Sequence, residues 1–292
     1  MSPYYIIKLI AMIHFYYNKY RQDSNYNKMH IIVIDTETTG LIPKGVASRD
    51  LSKCPHIIQL SYMIFDTTGF VVLEDYDTIV KLDDAVEISE RSIEIHKITR
   101  EKSRMSGVPI NVALFNLRSA LIAYNVQLIV GHNISFDTQM LDIECRRIGL
   151  SGGLFRRDAD RNCGEGNMAL WNSAAPIPQY CTMENSKDIC NNRVQSMYGG
   201  SYIRFSKLSE VFAKLFGNGD NDGEVPNSGD FLHNSRVDVV MCLRVYCWIA
   251  YGVDIKAEWM NVMETYVDPN LISLDDAHLL TDEVVRDNYV LI

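Results

Sequence analysis

The chain has 292 residues, 47% hydrophobic and 22% charged, a balance that suits a globular protein with a substantial core and excludes a low-complexity or disordered one. Seven cysteines, with no C-x-x-C pair and no zinc-type Cys/His spacing, exclude a disulfide scaffold and favour reduced thiols in an intracellular setting. The net charge of −9 excludes a uniformly basic nucleic-acid binder, but it is uneven: residues 1–28 carry four Lys/Arg and one Asp, residues 251–292 two Lys/Arg and nine Asp/Glu.

The first stretch, MSPYYIIKLIAMIHFYY, is apolar but broken by Lys8 and His14, and it is shorter than the roughly 20 residues that a spanning helix needs. No small-residue cleavage site follows, so neither a membrane span nor a signal peptide is expected. Met29, one residue before the first strand, offers an alternative start that would make residues 1–28 an extension outside the domain.

His30–Glu37 reads as a buried strand. His56–Phe65 and Val71–Val80 flank the turn Asp66-Thr67-Thr68-Gly69 and predict a hairpin. Helical spacing follows over 109–125, with Pro109 at the first helical position. Leu128–Gly131 is a short buried strand, and Ser135–Ile148 a helix stopped by Gly149. Residues 151–178 read as a long insertion, Tyr180–Met183 as a strand, and Lys207–Phe216 as an amphipathic helix closed by Gly217. A flexible loop follows over 217–230, and His233 introduces a long apolar helix to about Tyr251. The domain is thus expected over 29–252, with 253–292 an acidic tail that packs on it or serves as a docking peptide.

Three segments carry the acids that matter. Asp35 and Glu37 leave the first strand on one face, because strand side chains alternate with a period of two. Asp137 stands in the opening turn of a helix, and Asp238 in an otherwise apolar one. Carboxylates gathered from such places need cations to offset their repulsion, and an all-oxygen set suits Mg²⁺ or Mn²⁺ rather than zinc. Singly, each acid has a plain alternative: a strand end, a helix-start acid complementing the dipole, a solvated helix position.

D-x-E-T-T-G-L at 35–41, G-H-N-x-x-F-D at 131–137 and H-x4-D at 233–238 resemble, in order, the three motifs of the DEDD (DnaQ-like) exonucleases. IIQLSYMIFD, HKIT at 96–99, YCTM at 180–183 and KLSEVFAKLFG fit the same pattern, which covers roughly residues 29–251. The resemblance implies an α/β, RNase H-like fold with a central mixed five-stranded sheet flanked by helices. His233 stands five residues before Asp238, and Asn234 four before, which is similar to the histidine subclass (DEDDh).

What the resemblance implies chemically is a metal-dependent 3′–5′ exonuclease. Asp35, Glu37 and Asp238 would share one divalent cation, and Asp35 with Asp137 the second, about 4 Å away. His233 would take a proton from the attacking water, and the terminal phosphodiester of a single-stranded DNA or RNA would yield a nucleoside 5′-monophosphate. Thr38, Thr39, Gly40 and Leu41 would hold the terminal nucleotide, with Asn133 and Phe136 lining the pocket and His96 beside the substrate. A polymerase or homodimer partner follows by analogy only. The alternatives are a non-catalytic nucleic-acid-binding or tethering module with the same fold, and a phosphodiesterase for very short oligonucleotides.

Some features stand apart from that pattern. Many relatives have a small and then an apolar residue where Ser235 and Arg236 stand, so Arg236 is expected at the rim of the cleft. Basic clusters at Lys97, Arg100, Lys102 and Arg104 and at Arg146, Arg147, Arg156 and Arg157 read first as solvated faces and second as phosphate contacts. His132 is expected to be a structural hydrogen-bonder, and Cys181 and Cys190 buried thiols.

Overall fold

The computed structural model describes residues 29–45, 50–150, 154–155, 176–197, 199–217 and 234–256. The expectations for residues 1–28, for most of the insertion, for the loop over 218–230, for His233 and for most of the acidic tail lie outside these residues. The strands β1 (His30–Thr38), β2 (Ile57–Asp66), β3 (Val71–Ile79), β4 (Leu128–Gly131) and β5 (Gln179–Cys181) form one five-stranded sheet in the order β3-β2-β1-β4-β5. β1, β2 and β3 run antiparallel and β4 and β5 parallel to β1, so the sheet is mixed, as expected.

β1 is central and covered on both faces, and its alternation sorts its side chains. Ile32 and Ile34 enter a core with α3 (Ile110–Ala123) and α4 (Ile134–Arg147). Ile31 and Val33 enter the opposite core with α7 (Leu208–Phe216) and α8 (Ser235–Tyr251). The next residues on this second face are Asp35 and Glu37, so the first turn of α8 is the element they meet.

α8 is buried almost all round. Its Arg244 is 1% exposed and holds Asp254 through two bonds of 2.7 and 2.9 Å, its guanidinium 4.0 Å from the centroid of Phe216. Ile255 is buried too, so the first residues of the acidic tail pack on the domain. The insertion is anchored at both ends, since Ile177 N–H donates to the Phe155 carbonyl at 2.8 Å.

Some elements differ from expectation. Pro109 is the N-cap of α3 rather than its first helical residue, because its ψ of 140° is still extended. The strand expected over Tyr180–Met183 ends at Cys181, where Thr182 opens the short helix α5 (Thr182–Asn185), its buried hydroxyl 3.3 Å from the Gly131 carbonyl. Cys181 and Cys190 are half-buried free thiols rather than buried ones. Two seven-residue helices, α1 (Glu90–His96) and α2 (Arg100–Ser106), are too short to show a clear apolar period, and their N-caps Ser89 and Thr99 define them instead. After α5 come α6 (Lys187–Cys190) and a separate hairpin of β6 (Arg193–Gln195) and β7 (Ser201–Ile203). No described helix is long and apolar enough to cross a membrane.

Candidate active site

β1 outruns its neighbour. Its pairing with β4 ends at Val33↔Val130, so the edge of β1 beyond Val33 has no strand beside it. A bare edge N–H needs a partner, and Asp137 supplies it: its Oδ1 accepts from Thr36 N at 3.0 Å and from Thr36 Oγ1 at 2.8 Å. Thr36 therefore clamps Asp137, from the first turn of α4, between Asp35 and Glu37 along the chain. Asn133 makes the sharp entry to α4 in the left-handed region, at φ 70°, a conformation that asparagine tolerates.

On the other face, Asp238 lies in the first turn of α8, its N–H bonded to the Asn234 carbonyl at 3.0 Å. One oxygen each of Asp35, Glu37 and Asp238 lie within 4.8 Å of one another. Among the described residues no Lys or Arg forms an ion pair with these three. Burial, with Asp137, Asp238 and Glu37 alongside, raises the pKa of Asp35 well above the usual carboxylate range. Burial, with Asp238 and Asp137, does the same to Glu37. Asp238 is raised to about 7 by burial and then by Asp137. Asp137 is also raised to about 7 by burial, against the two Thr36 bonds that pull it down. Four acids that resist ionisation together, offering only oxygen donors, fit a hard divalent cation.

The expected substrate residues lie along the same strand end, in unequal states. Thr38 donates its hydroxyl to the Gly40 carbonyl at 2.7 Å, and Thr39 Oγ1 accepts from His56 N at 3.0 Å, so the proton of Thr38 and a lone pair of Thr39 are engaged within the protein. A Cβ on Gly40 would meet nothing within 4 Å, so no protein neighbour requires glycine there. Leu41 stands out at 81% exposed. Asn133 is exposed, while Phe136 packs against the first core. His96, the last residue of α1, is 3% exposed; its Nδ1 accepts from Ile98 N at 3.0 Å, and burial holds its pKa down at about 4, against the pull of the Thr38 backbone. Its Nε2 is buried without a hydrogen-bond partner among the described residues, so the ring faces inward rather than to solvent.

One expectation is corrected. Arg236 does not sit at the rim: it is 8% exposed and grips Asp75 of β3, its Nε 3.2 and 3.0 Å from the two carboxylate oxygens. The basic clusters divide: Lys97 and Arg104 stand exposed, as on a solvated face, while Arg147 is turned inward. Arg147 bonds Glu144 and the carbonyls of Leu51, Cys54 and Pro55, Arg146 pairs with Asp142, Arg104 with Asp84, and Arg100 donates to the carbonyls of Asp83 and Val86. Arg156 and Arg157 lie outside the described residues.

A polar network under α8 has no counterpart in the motifs. Strand register places Asp35 opposite Ser61, Glu37 opposite Gln59, and Ser61 opposite Asp77. Asp77 Oδ1 accepts from Ser61 Oγ at 2.5 Å and from Gln59 Nε2 at 2.8 Å. Ser61 Oγ, having given its proton to Asp77, accepts from Ser235 Oγ, and Ser235 N donates to Gln59 Oε1 at 3.5 Å. This chain of bonds seats the first turn of α8, and so Asp238, on the sheet. Sequence reasoning missed it because its members lie far apart along the chain, and the hydroxyl of Ser235 is its one local signal. Asp77→Ala strands the donors of Gln59 and Ser61, so we expect a loss of about 2–3 kcal/mol in urea unfolding. Asp77→Asn, which keeps an acceptor, should lose less.

Taken together, a mixed five-stranded sheet with a carboxylate-lined cleft at the end of its central strand defines an RNase H-like α/β domain. Residues 32–151, the stretch that carries Asp35, Glu37 and Asp137, match the family model described as Exonuclease (RNase_T). Among solved structures, the chain resembles a 3′-exonuclease in 3′-end-specific recognition of a histone mRNA stem-loop (14% identity, 80% of this chain and 70% of that one, TM-score 0.51). It also resembles E. coli exonuclease I in complex with a dA16 oligonucleotide (14% identity, 81% and 43%, TM-score 0.47). The chain thus spans less than half the length of that exonuclease I. No curated protein matches the chain significantly.

Proposed function

We propose that the protein is a metal-dependent 3′–5′ exonuclease of the histidine subclass, acting on single-stranded DNA or RNA ends. The observation that carries this reading is the meeting of Asp35, Glu37 and Asp238 within 4.8 Å, with Asp137 clamped beside them by Thr36. Asp35, Glu37 and Asp238 would hold one Mg²⁺ or Mn²⁺ and Asp35 with Asp137 a second, and this pair would supply the positive charge that stabilises the attacking and leaving oxygens of an in-line displacement. His233, five residues before Asp238, takes a proton from the attacking water. The water oxygen bonds to phosphorus, the bond from phosphorus to the 3′ oxygen of the preceding nucleotide breaks, and a nucleoside 5′-monophosphate leaves.

The remaining residues do positioning. The Thr39 N–H and carbonyl are bonded to His56 and Ser89, so Thr39 offers the terminal nucleotide its hydroxyl proton, while Thr38 and Gly40 line the same strand end. Leu41, exposed, wedges against the terminal base; Asn133 and Phe136 bound the other side, and His96 packs behind the strand end. The test uses strands labelled at either end, of DNA and of RNA, with Mg²⁺, Mn²⁺ or EDTA. Mononucleotides released from the 3′ end only, and abolished by EDTA, are the expected result. Binding without cleavage under all three conditions would overturn it.

A further inference from the structure

The hairpin of β6 and β7 projects a surface that the cleft chemistry does not use. Met197 is 93% exposed, Tyr202 56%, Phe205 48% and Ile189 38%, so four large apolar side chains within one short stretch face solvent. Between them, residues 187–207 carry Lys187, Arg193, Arg204 and Lys207 against the single carboxylate of Asp188, in a chain of net charge −9. Lys187 Nζ lies 5.3 Å from the centroid of Phe205. The hairpin is well built for its size. Gly199 and Gly200 close it at φ 89° and 80°, a conformation L side chains rarely adopt, and Arg204 N donates to the Asn192 carbonyl at 2.9 Å across its base. Arg204 also grips Glu210 of α7 with bonds of 2.8 and 2.5 Å.

Its base is tied to the catalytic end of the sheet. Asn192 Nδ2 donates to Ser206 Oγ at 2.9 Å, and the Ser206 carbonyl is 2.9 Å from His132 Nε2, which must donate, since a carbonyl only accepts. His132 Nδ1 is then the acceptor that faces the Thr182 hydroxyl at 3.0 Å. His132 directly precedes Asn133, the N-cap of the helix that carries Asp137. The hairpin therefore springs from the ends of β4 and β5 at which β1 presents Asp35 and Glu37.

We propose that this hairpin, with Lys187 and Phe205 beside it, is an auxiliary docking surface for the single strand whose 3′ end enters the carboxylate cleft. This rests on the exonuclease reading above. Cations interleaved with exposed rings match a polymer that alternates phosphate charge with flat bases, and stacking on such rings tolerates any sequence. A strand approaching a chain of net negative charge needs such a local cationic surface. A protein partner is the outcome the test must separate.

The experiment compares Tyr202→Ala, Phe205→Ala and Arg193→Ala with the unaltered chain, in Mn²⁺, on strands of about four and about fifteen nucleotides. These side chains are exposed, so thermal melting should show unchanged folding. On the long strand KM should rise about tenfold for each aromatic variant, with kcat unchanged, while the short strand shows no change in either. Arg193→Ala should lower the slope of log affinity against log salt by about one. Equal behaviour of variant and unaltered protein on both lengths would overturn the docking surface, and would leave the exonuclease reading intact. If the unaltered protein cleaves neither strand, the exonuclease reading fails instead, and the surface is judged by fluorescence anisotropy in EDTA. Long-strand affinity lost in Tyr202→Ala would then support it, and unchanged affinity would overturn it.

Discussion

Replacing Asp35 with Asn is expected to move activity and stability in opposite directions. Hydrolysis of a labelled strand should fall at least about a thousandfold, because one of the charges that stabilise the reacting centre is removed. The metal-free protein should meanwhile melt at a higher temperature than the unaltered one. Burial, and then Asp137, Asp238 and Glu37, raise the pKa of Asp35 well above the usual range; an amide is neutral without taking up a proton, so it escapes that cost and keeps the shape. An ordinary core residue would lose stability on substitution, and an ordinary surface acid would change neither quantity. Only a functional carboxylate held against its own electrostatics shows both effects, and activity assays beside differential scanning calorimetry read them.

The second large effect is on stability against pH. Asp137 and Asp238 are each raised to about 7 in the folded chain, while in the unfolded chain they titrate near ~4. Below about pH 4 both states hold the protons and the folded state bears no penalty. Between about pH 4 and about pH 7 the unfolded state releases them and the folded state keeps them, so metal-free stability falls as pH rises. The fall should reach several kcal/mol across that window, since a rise of about three units in one group is worth about 4 kcal/mol. Millimolar Mn²⁺ should restore it above pH 7, where the acids are ionised by the cation they bind. Asp137→Asn keeps the oxygen that accepts from Thr36, so it should flatten the pH slope without loosening the strand end. A metal-free protein that gains stability from pH 5 to pH 8, with the same slope in Asp137→Asn, would contradict this account of the cleft.

Much of the fold was legible from short-range pattern. A β-branched run ending in Asp35 and Glu37, a hairpin around Asp66–Gly69, and helices bounded by Pro109 and Gly149 are local signals, and those elements are found, while the mixed five-stranded sheet was implied by the family resemblance. What was not legible is long-range. That β1 outruns β4 by the length of the acidic pair, so that Asp137 has an edge N–H to clamp, depends on strand pairing. The seat of α8 on Gln59, Ser61 and Asp77 joins residues more than a hundred positions apart, and Arg236 gave no hint in sequence that it turns inward to Asp75. The three-residue strands of the second hairpin are too short to carry an alternation. Of the five residues expected to do the chemistry, Asp35, Glu37, Asp137 and Asp238 are described and converge. His233 lies outside the described residues, and its part rests on its place ahead of Asp238.

Titration of the metal-free protein with Mn²⁺, followed by electron paramagnetic resonance, tests the central claim most directly. Saturable binding at pH 8 that is weakened at least about tenfold by Asp35→Asn and by Asp238→Asn, and left unchanged by Asp188→Asn, is the predicted result. Binding that is absent, or equally strong in all four proteins, would contradict it.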